Sequence, residues 1–297
     1  MLGTGRCGST VVFQVLAMHP DVGFISNLDD RLAGLNSMGR INNAAYRRLP
    51  ALLQRRGGRW PGAAGRIGLS PSEAYRLFDR QVSPMLSTPS RDLTADDAYP
   101  WLVHRLQRFF ETRAAAQGRD VFGHKLTGWP RAGLLHAAFP DARFVHVVRD
   151  GRAVASSLLQ QPWWHGYQGP EGWTFGPLDD ADAELWERSG RSFAVLAGLE
   201  WKRLMAAFDA ARAELPASSW LELRYEDVTA DPGPAFQRLL DHAGLAWTPE
   251  FERAFASFGF TRSRAEAYRS ELAGRDLALL DEALAPQLAA YGYDVGG

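Results

Sequence analysis

The most restrictive feature of this sequence is the glycine-rich segment GTGRCGST, residues 3–10. Apolar residues at helical spacing follow it, and the pattern predicts a helix over residues 10–18 that ends before Pro20. A glycine-rich turn that enters a helix directs several backbone N–H groups at one point, which suits a phosphate or a sulfate. Because such a turn normally follows a strand of a parallel sheet, the segment predicts an α/β fold.

The loop departs from the nucleoside triphosphate pattern at one position. It fits G-x-x-x-x-G-K-[ST] except that Ser9 stands in place of the lysine. Without that lysine, and with no aspartate clearly placed to hold magnesium, γ-phosphoryl transfer lacks its standard parts. The cationic residue of the loop is Arg6. A glycine-rich turn without function is the alternative interpretation.

Only Met1 and Leu2 precede the loop, where a strand is expected. Two residues span roughly 7 Å, about a third of an ordinary strand. We therefore expect either that the native chain begins upstream of this Met1 or that the first strand is stunted.

Three further segments have the short apolar character of buried strands: residues 142–148, residues 220–224 and, more weakly, residues 121–126. Each is followed by a helix pattern or a loop, so we predict a P-loop-like three-layer α/β fold, with a central parallel sheet flanked by helices. One domain over residues 1–297 is expected. Its further parts are a helical insertion at about 32–119 (helices at 72–82 and 98–117), a tryptophan-rich loop at 160–180, and helices at 181–214, 234–243 and 263–291, the last broken at Pro286.

Composition excludes several classes of protein. A net charge of −1 and a pI near 6.7 give no electrostatic basis for nucleic-acid binding by the whole chain. One cysteine excludes a disulfide framework, and no apolar run is long enough for a membrane span. No signal peptide is visible, so a cytoplasmic enzyme is expected. The segment from Arg31 to Ser72 has eight arginines and no acid; it is either a solvated basic face or a surface for an anionic substrate or lipid head group.

A second anion signature follows the best predicted strand. Arg149 comes directly after the apolar run, where ligands bind in open parallel sheets, and Ser157 lies eight residues further on. The segment Arg149-Asp150-Gly151-Arg152 could instead be a turn in which Asp150 caps the next helix.

The two segments GTGRCGST and FVHVVRDGRAVASSL together resemble the sulfotransferases that use 3'-phosphoadenosine 5'-phosphosulfate (PAPS), particularly the bacterial and tyrosylprotein-type branch. A third segment, LELRYEDVTADP, resembles the family's strand and turn whose tyrosine meets the adenine. The resemblance implies PAPS as co-substrate, adenosine 3',5'-bisphosphate as product and no metal. It implies that the 3'-phosphate is held by Arg149 and Ser157, that the adenine meets Tyr225, and that the 5'-phosphosulfate is held by Gly5, Arg6, Cys7, Gly8, Ser9 and Thr10.

The resemblance also suggests catalytic residues. Arg6 is expected at the leaving group, and Lys125 is expected to neutralise charge on the sulfuryl group. In tyrosylprotein-type relatives a glutamate follows the first helix, but Ser26 or Asn27 occupies that place here. The candidate bases are His124, by resemblance to other branches, and Asp29 or the neighbouring Asp30, which could instead be a helix cap.

The sequence leaves more than one role open for Cys7 and for the adjacent tryptophans Trp163 and Trp164. Cys7 stands where relatives often have serine, and it is expected to belong to the donor loop, where its oxidation would block the site. Trp163 and Trp164 could stack on adenine, cover the acceptor or pack in the core.

The leading hypothesis is a sulfotransferase acting on a hydroxyl or an amine of a small-molecule, glycan or lipid acceptor. A P-loop phosphotransferase and a degenerate nucleotide-binding protein are the alternatives. A homodimer is an open expectation, and neither a nucleic-acid partner nor an integral membrane segment is expected.

Overall fold

The computed structural model describes residues 1–32, 39–54, 68–260 and 265–295, and the side chains of Arg40 and of residues 49–54 are outside the description. Its central sheet contains four parallel strands: β1 (Leu2–Gly3), β4 (Leu126–Thr127), β5 (Phe144–Val148) and β6 (Trp220–Arg224). Across the sheet their order is β4-β1-β5-β6. The predicted α/β fold with a central parallel sheet flanked by helices is confirmed.

The predicted strand over residues 121–126 is divided between two sheets. Its first part is β3 (Val121–Phe122), which pairs in parallel with β2 (Val22–Gly23). Its second part is β4, which pairs with β1 in the central sheet. The prediction of one continuous strand is therefore wrong. Gly123 lies where the chain passes from one sheet to the other. A side chain at this position would press against the ring of Phe13.

The helices follow the predicted order with differences at their ends. In chain order they are α1 (Ser9–Leu16), α2 (Asn27–Arg31), α3 (Arg40–Gln54), α4 (Tyr75–Gln81), α5 (Pro100–Gln117), α6 (Ala132–Ala138), α7 (Gly151–Leu159), α8 (Asp180–Arg188), α9 (Phe193–Glu214), α10 (Tyr225–Ala230), α11 (Pro232–Ala243), α12 (Pro249–Ala256), α13 (Tyr268–Glu271) and α14 (Gly274–Ala290). The helix predicted over residues 181–214 is interrupted, because Gly190 adopts φ +71° between α8 and α9.

Pro286 does not break the last helix. It lies inside α14, and the buried Leu284 and Leu288 hold the helix against the core on both sides of it. A proline in a helix interior removes one hydrogen bond and crowds the preceding turn. Here the burial of the two flanking leucines offsets that cost.

The central strand β5 is covered on both faces, as parallel sheets require. Val145 and Val147 pack with α1, α11 and α12, whereas Phe144 faces the opposite layer. His146, on the same face as Phe144, stacks on Phe208 of α9 with ring centroids 4.0 Å apart. Because β5 is fixed on both sides, the backbone at its carboxyl end has a defined position.

Candidate active site

The predicted phosphate-binding segments meet at one edge of the sheet. The loops after β1 and β5 and the last residue of β4, Thr127, lie at the carboxyl ends of neighbouring parallel strands and border a cavity of about 870 Å³. The opposite wall comes from α10 and α13 and from residues 258–260. This is the position at which open α/β sheets bind their ligands.

The loop after β1 is shaped by residues with positive φ. Gly5, Arg6 and Gly8 have φ of 84°, 54° and 90°, which turns successive backbone groups into a concave surface in front of α1. Arg6 holds this conformation without being glycine, at a cost of about 1 kcal/mol. Such a concavity of N–H groups at a helix N-terminus favours an anion. The backbone of the loop therefore agrees with the anion site that its sequence predicts.

Tyr225 closes one side of this loop. A Cβ atom at Gly8 would lie 2.2 Å from the Tyr225 ring, so only glycine allows the ring to lie this close. The guanidinium of Arg149 lies over the same ring, 4.8 Å from its centroid. Tyr225 thus connects the first predicted anion motif with the second.

Two arginines and a hydroxyl converge beside the loop. Arg6 Nε donates to Ser157 Oγ at 2.9 Å, and Arg149 NH1 donates to the Arg6 carbonyl at 3.0 Å. The predicted pair Arg149 and Ser157 is therefore brought together at one site, and Arg6 joins it. Two guanidinium groups next to a serine hydroxyl suit a phosphate dianion.

The segment 149–152 forms the predicted turn, and the same turn places Arg149 at the cavity. Asp150 caps α7 by accepting from the Arg152 backbone N–H at 2.8 Å, while Arg149 lines the cavity. The buried Arg152 side chain binds Asp150 and reaches Asp281 of α14 at 2.7 Å. The cap and its ion pairs thus fix the turn that presents Arg149.

Lys125 is buried behind the cavity lining, in contact with two residues that line it. Its Nζ donates to Thr10 Oγ1 at 2.9 Å and forms a short ion pair with Glu73. Glu73 lines the cavity and also accepts a hydrogen bond from Thr127 Oγ1 at 2.9 Å. Burial raises the pKa of Glu73, but the charge of Lys125 and the hydrogen bonds outweigh it and hold the pKa below its usual value. The carboxylate is therefore ionised at neutral pH.

Glu73 was missed by sequence reasoning. One signal was present: Glu73 is the first acid after the acid-free segment that ends at Ser72. Its partner Lys125 is 52 residues away, and nothing local in the sequence links the two.

His124 lies away from the cavity lining, between the rings of Phe78 and Phe110, with centroids 5.1 and 5.4 Å from its own. Burial, with the nearby charges of the amino terminus and Lys125, lowers the pKa of His124 to about 3. An imidazole that is enclosed by phenylalanines and lies outside the cavity lining is poorly placed to take a proton from an acceptor.

Asp29 and Asp30 are engaged in local structure. Asp29 Oδ2 accepts from the Ser26 backbone N–H and hydroxyl, at 2.9 and 2.7 Å, in a capping box of α2. Asp30 Oδ1 accepts from the Leu77 backbone N–H at 3.1 Å. Neither aspartate lines the cavity, and the helix-cap alternative describes what Asp29 does. Asn27, at the place expected for a glutamate, is the first residue of α2.

Cys7 faces the core rather than the cavity. It is fully buried among the apolar residues packed on α1, and a Cβ at Gly3 would lie 2.4 Å from its Sγ. Its backbone is part of the loop after β1, whereas its thiol fills space beneath the loop.

The two adjacent tryptophans have different positions. Trp164 is buried and donates from Nε1 to Glu200 Oε2 at 2.8 Å, so it anchors the tryptophan-rich loop to α9. Trp163 is 56% exposed and lines the mouth of the cavity, next to Gln160 and Gln161. Trp164 therefore packs in the core, whereas Trp163 is placed where it can contact a ligand.

The part of the chain that the structure describes contains neither a metal-binding cluster nor a membrane-spanning helix. No group of three or more histidine, cysteine, aspartate or glutamate side chains in that part of the chain could hold a metal ion. Within the same residues, no helix has the length and apolar character needed to cross a membrane.

Comparison with known proteins identifies the family. The model described as "Sulfotransferase family" matches residues 1–249, most of the chain. The chain belongs to the sulfotransferase family. The resemblance drawn from the two anion motifs is therefore confirmed.

Curated relatives of this sulfotransferase match a shorter segment. The omega-hydroxy-beta-dihydromenaquinone-9 sulfotransferases Stf3 of Mycobacterium bovis (strain ATCC BAA-935 / AF2122/97) and Mycobacterium tuberculosis (strain CDC 1551 / Oshkosh) are each 28% identical over 172 residues. That match covers 55% of this chain and 39% of each relative.

Solved structures share the fold at low identity. The sulfotransferase domain from the curacin biosynthetic pathway has a TM-score of 0.53 and 12% identity, with 99% of this chain and 97% of that chain covered. The sulfotransferase STF9 from Mycobacterium avium has a TM-score of 0.58 and 15% identity, with 100% of this chain and 78% of that chain covered.

Proposed function

We propose that this sulfotransferase moves a sulfuryl group from PAPS to a hydroxyl group of an uncharged acceptor, with Glu73 as the general base. The donor assignment rests on one observation: two groups of residues suited to anions line the same cavity. The loop at Gly8 offers backbone N–H groups to the 5'-phosphosulfate, and the cluster of Arg6, Arg149 and Ser157 suits the 3'-phosphate.

The loop composition favours a sulfate donor over a triphosphate. A sulfuryl donor has no γ-phosphate and requires no magnesium. The lysine that contacts the terminal phosphates is therefore not needed, and Ser9 can occupy its position. Lys125, the residue directly before β4, supplies the positive charge instead, and its Nζ contacts Thr10. The residues of the cavity thus fit PAPS.

The arrangement supports an in-line transfer. Glu73 accepts the proton of the acceptor hydroxyl as the acceptor oxygen bonds to sulfur, and the bond from sulfur to the bridging phosphate oxygen breaks. Its electron pair leaves with adenosine 3',5'-bisphosphate. Lys125 and Thr10 are placed to stabilise the charge on the transferring group, and the loop N–H groups stabilise the leaving oxygen.

The lining of the cavity favours an uncharged acceptor. Among the described residues that line it, the cations are Arg6 and Arg149, and both lie in the 3'-phosphate cluster. Arg47 of the acid-free segment is occupied elsewhere, since it donates to the carbonyls of His19 and Val22. An alcohol of a lipid or secondary metabolite, or a neutral sugar, therefore fits better than an anionic glycan.

Calorimetric titration with adenosine 3',5'-bisphosphate tests the donor site, with adenosine 5'-phosphate and ATP plus magnesium as comparison ligands. We expect binding that depends on the 3'-phosphate and is unaffected by magnesium. Arg149→Ala should weaken it about 10- to 100-fold, because hydrogen bonds to charged groups are lost, and should leave adenosine 5'-phosphate binding nearly unchanged. Arg253→Ala, at an exposed arginine outside the cavity, is the control. Preference for ATP with magnesium, or equal losses for both adenosine ligands, would contradict the proposal.

A further inference from the structure

A second cavity, on the outer face of α4 and α5, has an unusual lining. It is a groove of about 570 Å³, and its lining contains the arginines Arg80, Arg105, Arg108 and Arg113 together with His104. No aspartate or glutamate lies among the described residues that line it. Four arginines that converge without a carboxylate create a local positive potential, although the whole chain has a net charge of −1.

The arginines at the surface of this groove are available to a ligand. Arg80, Arg105 and Arg108 are exposed, and none of them pairs with a carboxylate within the described part of the chain. Arg105 uses one guanidinium nitrogen to donate to the Val82 carbonyl at 3.0 Å, which fixes its orientation. These side chains can therefore bind an anion without breaking an ion pair.

Arg113 adds a buried cation to the groove. It is 3% exposed, and it donates to the Phe109 carbonyl and to Gln81 Oε1, both at 2.8 Å. Its Nε has no hydrogen-bond partner. A buried guanidinium with an unused donor is costly, and an anionic ligand in the groove would reduce that cost.

Two exposed aromatic residues lie at the N-terminal end of α5. Trp101 and Tyr99 are 47% and 48% exposed, and the Arg105 guanidinium lies 5.5 Å from the Trp101 ring centroid. Trp101, Arg105 and Arg108 are spaced i, i+4 and i+7, so they share one side of α5. Tryptophan and tyrosine beside basic residues are typical of surfaces that lie at a lipid head-group layer.

The groove is connected to the active site by a short helix. Tyr75, the first residue of α4, lines the active-site cavity, and Arg80 near its end lines the groove. Five residues of helix span roughly 7 to 8 Å along the axis. A membrane bound at the groove would therefore lie close to the cavity that contains Glu73.

We propose that this groove binds the phosphate of an anionic lipid head group and that the face formed by α4 and α5 docks the protein on negatively charged membranes. The aromatic rings enter the head-group layer, and the arginines contact the phosphates. The docking is peripheral and does not require the sulfuryl donor or the acceptor.

Vesicle co-sedimentation in the absence of donor and acceptor tests this proposal independently of the enzymatic function. We expect binding to phosphatidylcholine vesicles that contain about 30% phosphatidylglycerol, and little binding to pure phosphatidylcholine. About 1 M NaCl, at which the Debye length is about 3 Å, should abolish the binding.

A matched pair of double variants locates the surface. R105Q/R108Q should weaken vesicle binding about 30-fold, because each basic residue near an anionic surface accounts for about a fivefold effect. R188Q/R191Q removes the same charge at the same spacing from α8 and the residues after it, and should bind like the unsubstituted protein. Circular dichroism melting confirms that each variant is folded.

Three outcomes would overturn the proposal. They are equal binding to neutral and anionic vesicles, equal losses in the two double variants, and tight binding of inositol hexakisphosphate at the groove without any binding to vesicles. The last result would make the groove a site for a soluble polyphosphate. W101A provides a further readout: it should weaken vesicle binding and leave inositol hexakisphosphate binding unchanged.

Discussion

At the residue scale, Glu73 is the position where geometry and chemistry agree most closely. It lines the cavity and combines an ion pair to Lys125 with a hydrogen bond from Thr127. The three side chains come from two distant segments of the chain, so the fold itself assembles the acid with its cation. The carboxylate is ionised at neutral pH and can accept a proton, and the charge of Lys125 that lowers its pKa also lowers its basicity.

Glu73→Gln keeps the size and hydrogen-bonding capacity of the side chain and removes its basicity. We expect turnover to fall about 10²- to 10⁴-fold, the range for loss of a general base, with the affinity for adenosine 3',5'-bisphosphate within about twofold. Single-turnover kinetics and calorimetry measure the two effects. Glu184→Gln, at a side chain that is 74% exposed, should change neither. Unchanged turnover in Glu73→Gln would move the base to another group.

At the scale of elements, α9 holds the tryptophan-rich loop through one buried carboxyl group. Burial raises the pKa of Glu200 to about 7, although the hydrogen bond from Trp164 opposes the rise. The ordinary value is 4.5. Between these two pH values the folded protein binds more protons at this residue than the unfolded chain does.

The free energy of unfolding should therefore fall as pH rises from about 4.5 to about 7, by about 3 kcal/mol from this residue. Glu200→Gln cannot titrate and retains an oxygen for Trp164, so it should remove this part of the decline. Urea unfolding over that pH range measures it. Glu214→Gln, on the exposed end of the same helix, should retain the full decline. Identical pH profiles for Glu200→Gln and the unsubstituted protein would contradict the assignment.

At the scale of the whole molecule, the carboxyl-terminal segment supports the turn that carries Arg149. The match to the family ends at residue 249, yet Asp281 of α14 binds Arg152 at 2.7 Å, and Tyr293 donates to Glu226 at 3.0 Å. Glu226 in turn accepts from the Asp150 backbone N–H at 3.1 Å. Residues beyond the family match thus hold the turn that carries Arg149.

Asp281→Asn should lower the free energy of unfolding by about 1 to 3 kcal/mol, because the buried Arg152 loses one charged partner and keeps the other. We also expect weaker binding of adenosine 3',5'-bisphosphate, since the Arg149 turn loosens. Urea unfolding and calorimetry measure these changes. The neighbouring Glu282→Gln, 57% exposed, is the control and should have neither effect. A destabilised Asp281→Asn protein with unchanged nucleotide affinity would show that α14 supports stability alone.

The sequence predicted the parts of the molecule that depend on local pattern. The strands β5 and β6 were predicted from short segments rich in apolar and aromatic or β-branched residues, and the position of Arg149 was predicted from its place after β5. Of the two, β5 is buried throughout, whereas β6 is mostly half-buried. The two-residue strands β3 and β4 leave no periodic signal, so their separation into two sheets could not be predicted. The role of Glu73 depends on a contact across 52 residues, which only the folded chain displays.

The contact between Gly8 and Tyr225 makes the evolution of these two positions interdependent. A larger residue at position 8 cannot arise while the tyrosine ring lies 2.2 Å from the place of its Cβ, and a smaller residue at position 225 would first remove the ring beneath Arg149. Each change is costly when it is made alone, because a side chain at position 8 meets the ring and loss of the ring leaves Arg149 without its aromatic partner. Loss of the ring also removes the contact that a side chain at position 8 would meet, so a library that varies both positions together can reach loops that single substitutions cannot.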